Sequence, residues 1–240
     1  MADFQTMTEG RAGAGTAMID AGLRAHMNKV YGLMSVGMIV TGLVAWAVGT
    51  NADLMQTIWG TPLRWVVIFA PLAVVFAFGA FLNRMSVATA QLVFYVYAAL
   101  MGLSLSTIMV RYTGVSITQT FLVTAIAFAS LSLYGYTTKR NLTAFGSFLM
   151  MGLIGIIVAS VVNIFLASSA LAFAISVIGV LLFAGLTAYD TQNIKATYIA
   201  HAQAGDQDWL GKSAIMGALQ LYLDFLNMFM FLLQFMGDRR

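Results

Sequence analysis

Cysteine is absent from this 240-residue chain, which removes disulfides, thiolate metal sites and cysteine nucleophiles together. Charge is scarce: Asp, Glu, Lys and Arg make up 9% of the residues, against about 25% in soluble domains. Histidine occurs only as His26 and His201, in different polar segments, so nothing here suits zinc. No basic stripe interleaved with aromatics is present, and nucleic acid is excluded as a partner. Proline occurs twice. Pro62 sits at a predicted helix start, where its missing N–H costs little, and Pro71 lies inside the second predicted span, where a structural bend is expected. What the chain does have is apolar surface: 60% of residues are hydrophobic, with a mean hydropathy of +0.87. A soluble fold cannot hide that much. The partner is a lipid bilayer, in which only helices and closed barrels satisfy their backbone. The apolar runs lack strict alternation and are about 20 residues long, twice what a spanning strand needs. The fold class is therefore all-α integral membrane.

Seven transmembrane helices are predicted, at about 30–49, 63–83, 88–110, 117–137, 145–167, 170–190 and 214–236. Residues 1–27 form a polar segment without the apolar core of a secretory signal. Within it, Asp20 to Tyr31 is compatible with a short surface helix leading into the first span. Residues 28–237 make the transmembrane domain and 238–240 a short tail. Connections are short except for Thr191 to Ser213. With the N-terminus inside, the inner segments hold Arg11, Arg24, Lys29, Arg84, Lys139, Arg140, Lys195 and Lys212, and the outer ones Arg64, Arg111, Arg239 and Arg240. Eight against four predicts a cytoplasmic N-terminus, and seven spans then put the C-terminus outside. A multi-pass protein of a bacterial inner membrane is expected.

Two aspartates break the apolar pattern of the last two spans. Span 6 ends Gly185-Leu-Thr-Ala-Tyr189-Asp190-Thr-Gln192-Asn-Ile194-Lys195, and span 7 reads Ala218-Leu-Gln220-Leu-Tyr-Leu-Asp224-Phe-Leu-Asn227. An ionisable group at membrane depth costs roughly 2.5–3.5 kcal/mol on insertion scales and usually marks a proton site, an ion site or a buried pair. Gln220, Asp224 and Asn227 fall at i, i+4 and i+7, one polar stripe that should face protein or water. Asp190 and Asp224 meet only if span 6 continues past Asp190 toward Lys195. Otherwise a depth difference of roughly 15 Å separates them. If they meet, they cannot both ionise cheaply, and the pair titrates as a unit sharing a proton. With Asn227, backbone carbonyls and water, two carboxylates also make a weak, partly hydrated calcium site. A hydrogen-bonded packing contact and an ion or proton pathway both remain open on the residues alone. Arg84, at the end of span 2, reads either as a snorkelling anchor or as a plug bonded to the aspartates. Asn163 and the hydroxyls of spans 3 and 4 read as packing groups or as the wall of a path.

The Tyr189-Asp190-x-Gln192-x-Ile194-Lys195 and Leu221-Tyr-Leu-Asp224-Phe-x-Asn227 segments, in that order and in the last two spans, resemble the Bax inhibitor-1 family of transmembrane Bax inhibitor motif proteins. The likeness runs from about Ala25 to Gly237. It implies a seven-helix fold with helix 7 central and enclosed by helices 1–6. It implies a pH-sensitive, passive leak of calcium down its gradient, with calcium and protons as partners and no cofactor. Asp190 and Asp224 match the family's proton-sharing sensor, supported by Tyr189, Gln192, Gln220 and Asn227, and Arg84 matches its latch. The neighbours Asn83, Met85 and Ser86 are uncharged, whereas this region can be strongly basic in relatives.

Other functions compete. A regulatory protein that modulates a membrane-bound protease or a stress response fits the polar N-terminus equally well. A proton-coupled cation antiporter would use the same carboxyls. An enzyme is not expected: Tyr189-Asp190 is similar to the Tyr-Asp of aspartyl intramembrane proteases, but Asp224 follows Leu221-Tyr-Leu rather than Gly-x-Gly. A retinal receptor is excluded because span 7, taken as 214–236, holds no lysine for a Schiff base.

Overall fold

The computed structural model describes the backbone of residues 2–202 and 206–240 and, within these, the side chains from residue 19 onward except that of Gln207. Arg11, counted above for topology, has its side chain outside this set. Among the described residues the chain is all-helical, with one isolated antiparallel bridge between Tyr112 and Arg239. The helices are α1 (Ala2–Gly49), α2 (Ala52–Trp59), α3 (Leu63–Phe81), α4 (Val87–Leu105), α5 (Ile108–Arg111), α6 (Gly114–Thr137), α7 (Thr143–Leu166), α8 (Ser169–His201) and α9 (Gln207–Met236), with a 3-10 turn at Leu82–Arg84. Seven stretches are long and apolar enough to cross a membrane: Ile19–Gly49, Leu63–Arg84, Val87–Arg111, Gly114–Thr137, Thr143–Leu166, Ser169–His201 and Asp208–Met236.

Helix starts are set by short polar side chains that accept an otherwise orphaned backbone N–H. Ser86 accepts from Thr89, Thr113 from Ser116, Ser168 from Leu171 and Asp206 from Trp209. The sharp turn between α7 and α8 uses another device. Ala167 adopts the left-handed conformation (φ 48°) and returns its N–H to the Asn163 carbonyl. The Asn163 side chain then accepts the Ser168 N–H at 3.0 Å. Asn163 is thus a cap that closes a tight hairpin, not a wall of a path.

Three expected boundaries need correction. The first span does not follow a separate surface helix: α1 is continuous, because Leu23, Met27, Val30 and Met34 carry one buried stripe through the supposed junction and no proline interrupts it. The sixth helix does not end at Asp190. Thr187, Thr191, Ile194 and Tyr198 are buried at i, i+4, i+7 and i+11, and neither glycine nor proline occurs from Leu186 to Ala204, so α8 runs about three turns further. The stretch from Thr191 to Ser213 is therefore mostly helix rather than a long connection. The last helix starts at Gln207, not Ala214, and so contains Lys212 near its first turn.

Large apolar side chains such as Phe76, Ile126, Ile164 and Phe165 stand exposed around the outside, a surface suited to lipid and ruinous in water. α7 buries only Gly146, Leu149 and Ile156. α9 packs against α1, α4, α6 and α8 and buries more of its apolar window than any other span.

Candidate functional site

α8 and α9 share the most extensive contact in the chain, and the two aspartates lie in it. The continuation of α8 past Asp190 removes the depth mismatch, and the Asp190 and Asp224 carboxyls come within side-chain hydrogen-bonding reach of each other. Asp224 is buried at 4% exposure, and its Oδ2 has no hydrogen-bond partner among the described residues. Asp190 is half-buried. Two carboxylates at this separation cannot both carry full charge in a dry interior without strong repulsion.

The backbone around the pair is held on every side. Gly135 of α6 lies so close to the Ala188 carbonyl of α8, and Gly146 of α7 so close to the Tyr189 ring, that no side chain fits at either glycine. Tyr189 thus acts as a packing surface for α7. Gln192 clamps the α6–α7 connection: Nε2 donates to the Arg140 carbonyl and Oε1 accepts the Leu142 N–H, both at 2.8 Å. Lys195 donates to the Tyr136 carbonyl at 2.7 Å and lies 5.1 Å from the Tyr136 ring centroid. A cation is favoured there because α6 ends with unsatisfied carbonyls. From α9, Tyr222 bonds Thr41 of α1 at 2.6 Å, and Thr41 in turn donates to a backbone carbonyl, that of Ala98 at 2.8 Å or Gly37 at 3.0 Å.

Two cavities lie about one turn to either side of Asp224 along α9, lined by Gln220 and Asn227 and by neither aspartate. One, of about 260 Å³, is lined by Asn83, Asn193, Thr197, Lys212, Ser213 and Gln220, among others. Asn193 and Thr197 follow Asp190 at i+3 and i+7, and Gln220 precedes Asp224 at i−4, so this vestibule lies along the faces that carry the carboxyls. The other, of about 710 Å³ at the opposite end, includes Asn227, one turn beyond Asp224. Asn227 also donates to the Leu223 carbonyl at 2.8 Å. The stripe read at Gln220, Asp224 and Asn227 therefore touches a cavity, the carboxyl pair and a second cavity in order.

Arg84 is not brought to the aspartates. Its side chain is exposed and makes no ion pair or hydrogen bond among the described residues. The cation that joins this corner to α9 is Lys212, which pairs with Asp208 at 2.7 Å and donates to the Asn83 carbonyl at 3.4 Å. Sequence reasoning missed Lys212 because it was counted in a loop; its i, i+4 spacing from Asp208 was the available signal. Also missed was a polar chain beside Asp190, Tyr31 to Ser132 at 2.6 Å and Ser132 to Thr191 at 2.9 Å.

Residues 23–240 match the family described as inhibitor of apoptosis-promoting Bax1. The chain belongs to the Bax inhibitor-1 family. Bacterial relatives of similar length agree. An uncharacterised protein of Caulobacter vibrioides is 48% identical over 92% of each chain. Protein RP147 of Rickettsia prowazekii is 45% identical over 92% of each. The inner membrane protein YbhL of Escherichia coli is 46% identical, over 92% of this chain and 94% of its own. This member of the family is a multi-pass integral membrane protein whose two segments of resemblance pack against each other at the carboxyl pair. No cluster of three or more acidic or histidine side chains suited to a metal occurs among the described residues. A calcium ion at the pair would take its remaining oxygens from amides, carbonyls and water.

Proposed function

We propose that this protein is a passive, pH-sensitive calcium conduit in a bacterial inner membrane, with a cytoplasmic N-terminus and no catalytic role. α9 is the central helix, enclosed by the other six spans, and a proton shared by Asp190 and Asp224 holds α8 against α9. The observation that carries this reading is the placement of the carboxyl pair between two cavities on one face of α9. The burial of α9 supports its central role.

The sign follows from charge. With one proton shared, the carboxyls attract and the path is shut. As pH rises the last proton leaves, the charges repel, the helices part and the freed carboxylates draw in cations. Calcium flux should therefore increase with pH. The pure protein in liposomes loaded with a calcium-sensitive dye tests this. Flux down a gradient that rises from pH 6 to pH 8, with the profile flattened in Asp224→Asn and Asp190→Asn, supports the conduit. An unchanged profile in both variants rejects the sensor. Uptake against a calcium gradient driven by protons would favour the antiporter instead. An inert protein that co-purifies with a protease would favour the regulator. The latch role implied for Arg84 requires the 3-10 turn to swing inward from its exposed position. Arg84→Ala should then raise basal leak, and no increase would remove the latch.

A further inference from the structure

We infer that the larger vestibule, at the end of the molecule opposite the α8–α9 connection, is a binding site for a phosphate-class anion. Three arginines line it, Arg111, Arg239 and Arg240, together with the neutral groups of Thr107, Asn227 and Gln234. No Asp or Glu side chain is among its lining residues, and none of the three arginines forms an ion pair among the described residues. The nearest acid in sequence, Asp238, is exposed.

The gathering of these cations is built, not incidental. Arg111 ends α5, while Arg239 and Arg240 lie about 130 residues further along the chain. An antiparallel bridge brings them together: the Thr113 N–H donates to the Asp238 carbonyl at 3.1 Å and the Arg240 N–H to the Arg111 carbonyl at 3.0 Å. The Asp238 N–H is fixed to Ser116 Oγ at 2.8 Å. Like charges placed opposite one another across such a pair are destabilising, so the fold gathers positive charge at a cost that an anion from outside would offset. The planar forks of arginine match the oxygens of phosphate two at a time. Such an anion comes either from solution or from the headgroup of an acidic phospholipid. The site does not depend on the conduit reading, since it can be tested by binding alone.

The test uses the full chain purified in a neutral maltoside detergent. Inorganic phosphate is titrated by calorimetry at constant ionic strength, with chloride as the reference anion. In parallel, retention of phosphatidylglycerol over phosphatidylcholine is followed by native mass spectrometry after exchange from mixed vesicles. Arg111→Gln and the double variant Arg239→Gln, Arg240→Gln change exposed positions and should fold. Each should weaken binding about tenfold, the loss expected for a charge-assisted pair. Arg64→Gln, an arginine outside the vestibule, should leave it unchanged. Saturable phosphate binding that follows this pattern supports the site with a free anion as its ligand. Selective phosphatidylglycerol retention with the same pattern supports the headgroup. Binding of neither, or binding indifferent to the vestibule variants, overturns the proposal.

Discussion

Tyr222 and Thr41 show how a single hydroxyl can fix a buried helix. A threonine hydroxyl has one proton to give, and here a backbone carbonyl takes it, from Ala98 or Gly37. Tyr222, fully buried and edge-on to Phe94 and Tyr97, must then be the donor to Thr41. The direction of donation ranks two substitutions. Tyr222→Phe removes a donor and strands nothing, at a cost of about 1 kcal/mol. Thr41→Val leaves the tyrosine hydroxyl buried without a partner, which costs about 1–3 kcal/mol. Thermal denaturation in detergent should place Thr41→Val below Tyr222→Phe, and the reverse order would mean the donor has been assigned wrongly. At Asp224 the same accounting reaches function. Its Oδ2 has no hydrogen-bond partner among the described residues, so Asp224→Asn keeps the shape while removing the charge on which the proposed sensor depends.

Between elements, the contact of α6 with α8 is closer than any side chain allows. A Cβ at Gly135 would strike the Ala188 backbone carbonyl, and backbone cannot rotate out of the way as a side chain can. Gly135→Ala should force α6 from α8, shift Asp190 with it and lower the melting temperature by several degrees, roughly the effect of an overpacked core at about 1–3 kcal/mol. Ala167 gives the opposite expectation. It holds a left-handed φ that glycine adopts freely, so Ala167→Gly should be neutral or stabilise by up to about 1 kcal/mol. A destabilised Ala167→Gly protein would show that the α7–α8 hairpin is fixed by something other than its backbone. These contacts also explain what could be read from the residues alone. The number of spans and the stripe on α9 were legible because hydropathy and period 3.6 are local signals. The end of α8 was not, since hydropathy falls at the polar residues after Asp190 while the helix itself runs on to His201. The two signals part wherever a helix carries polar residues yet still packs on a neighbour, as α8 does through the buried Ile194 and Tyr198. The partners of Gln192 and Lys195 were illegible for another reason: both bond carbonyls more than 50 residues away, which no spacing rule encodes.

For the whole molecule, the odd number of spans makes a demand that can be tested without any flux. α1 and α9 must begin at the same end if the chain crosses the membrane between them an even number of times before α9 starts, as six spans require. The bias of basic residues is the ground for proposing that this end is cytoplasmic. The lack of native cysteine makes the unaltered chain a silent background for thiol labelling. Asp53, on α2, and Lys139, between α6 and α7, are both exposed and sit at opposite ends of the bundle. In intact cells a membrane-impermeant maleimide should label Asp53→Cys and leave Lys139→Cys untouched until the membrane is opened. A fusion of alkaline phosphatase after Arg240 should be active, as a C-terminus outside demands. Labelling of Lys139→Cys alone would invert the molecule and turn the three-arginine vestibule toward the cytoplasm. Labelling of both from one side would break the seven-span reading, and with it the proposed path through the carboxyl pair.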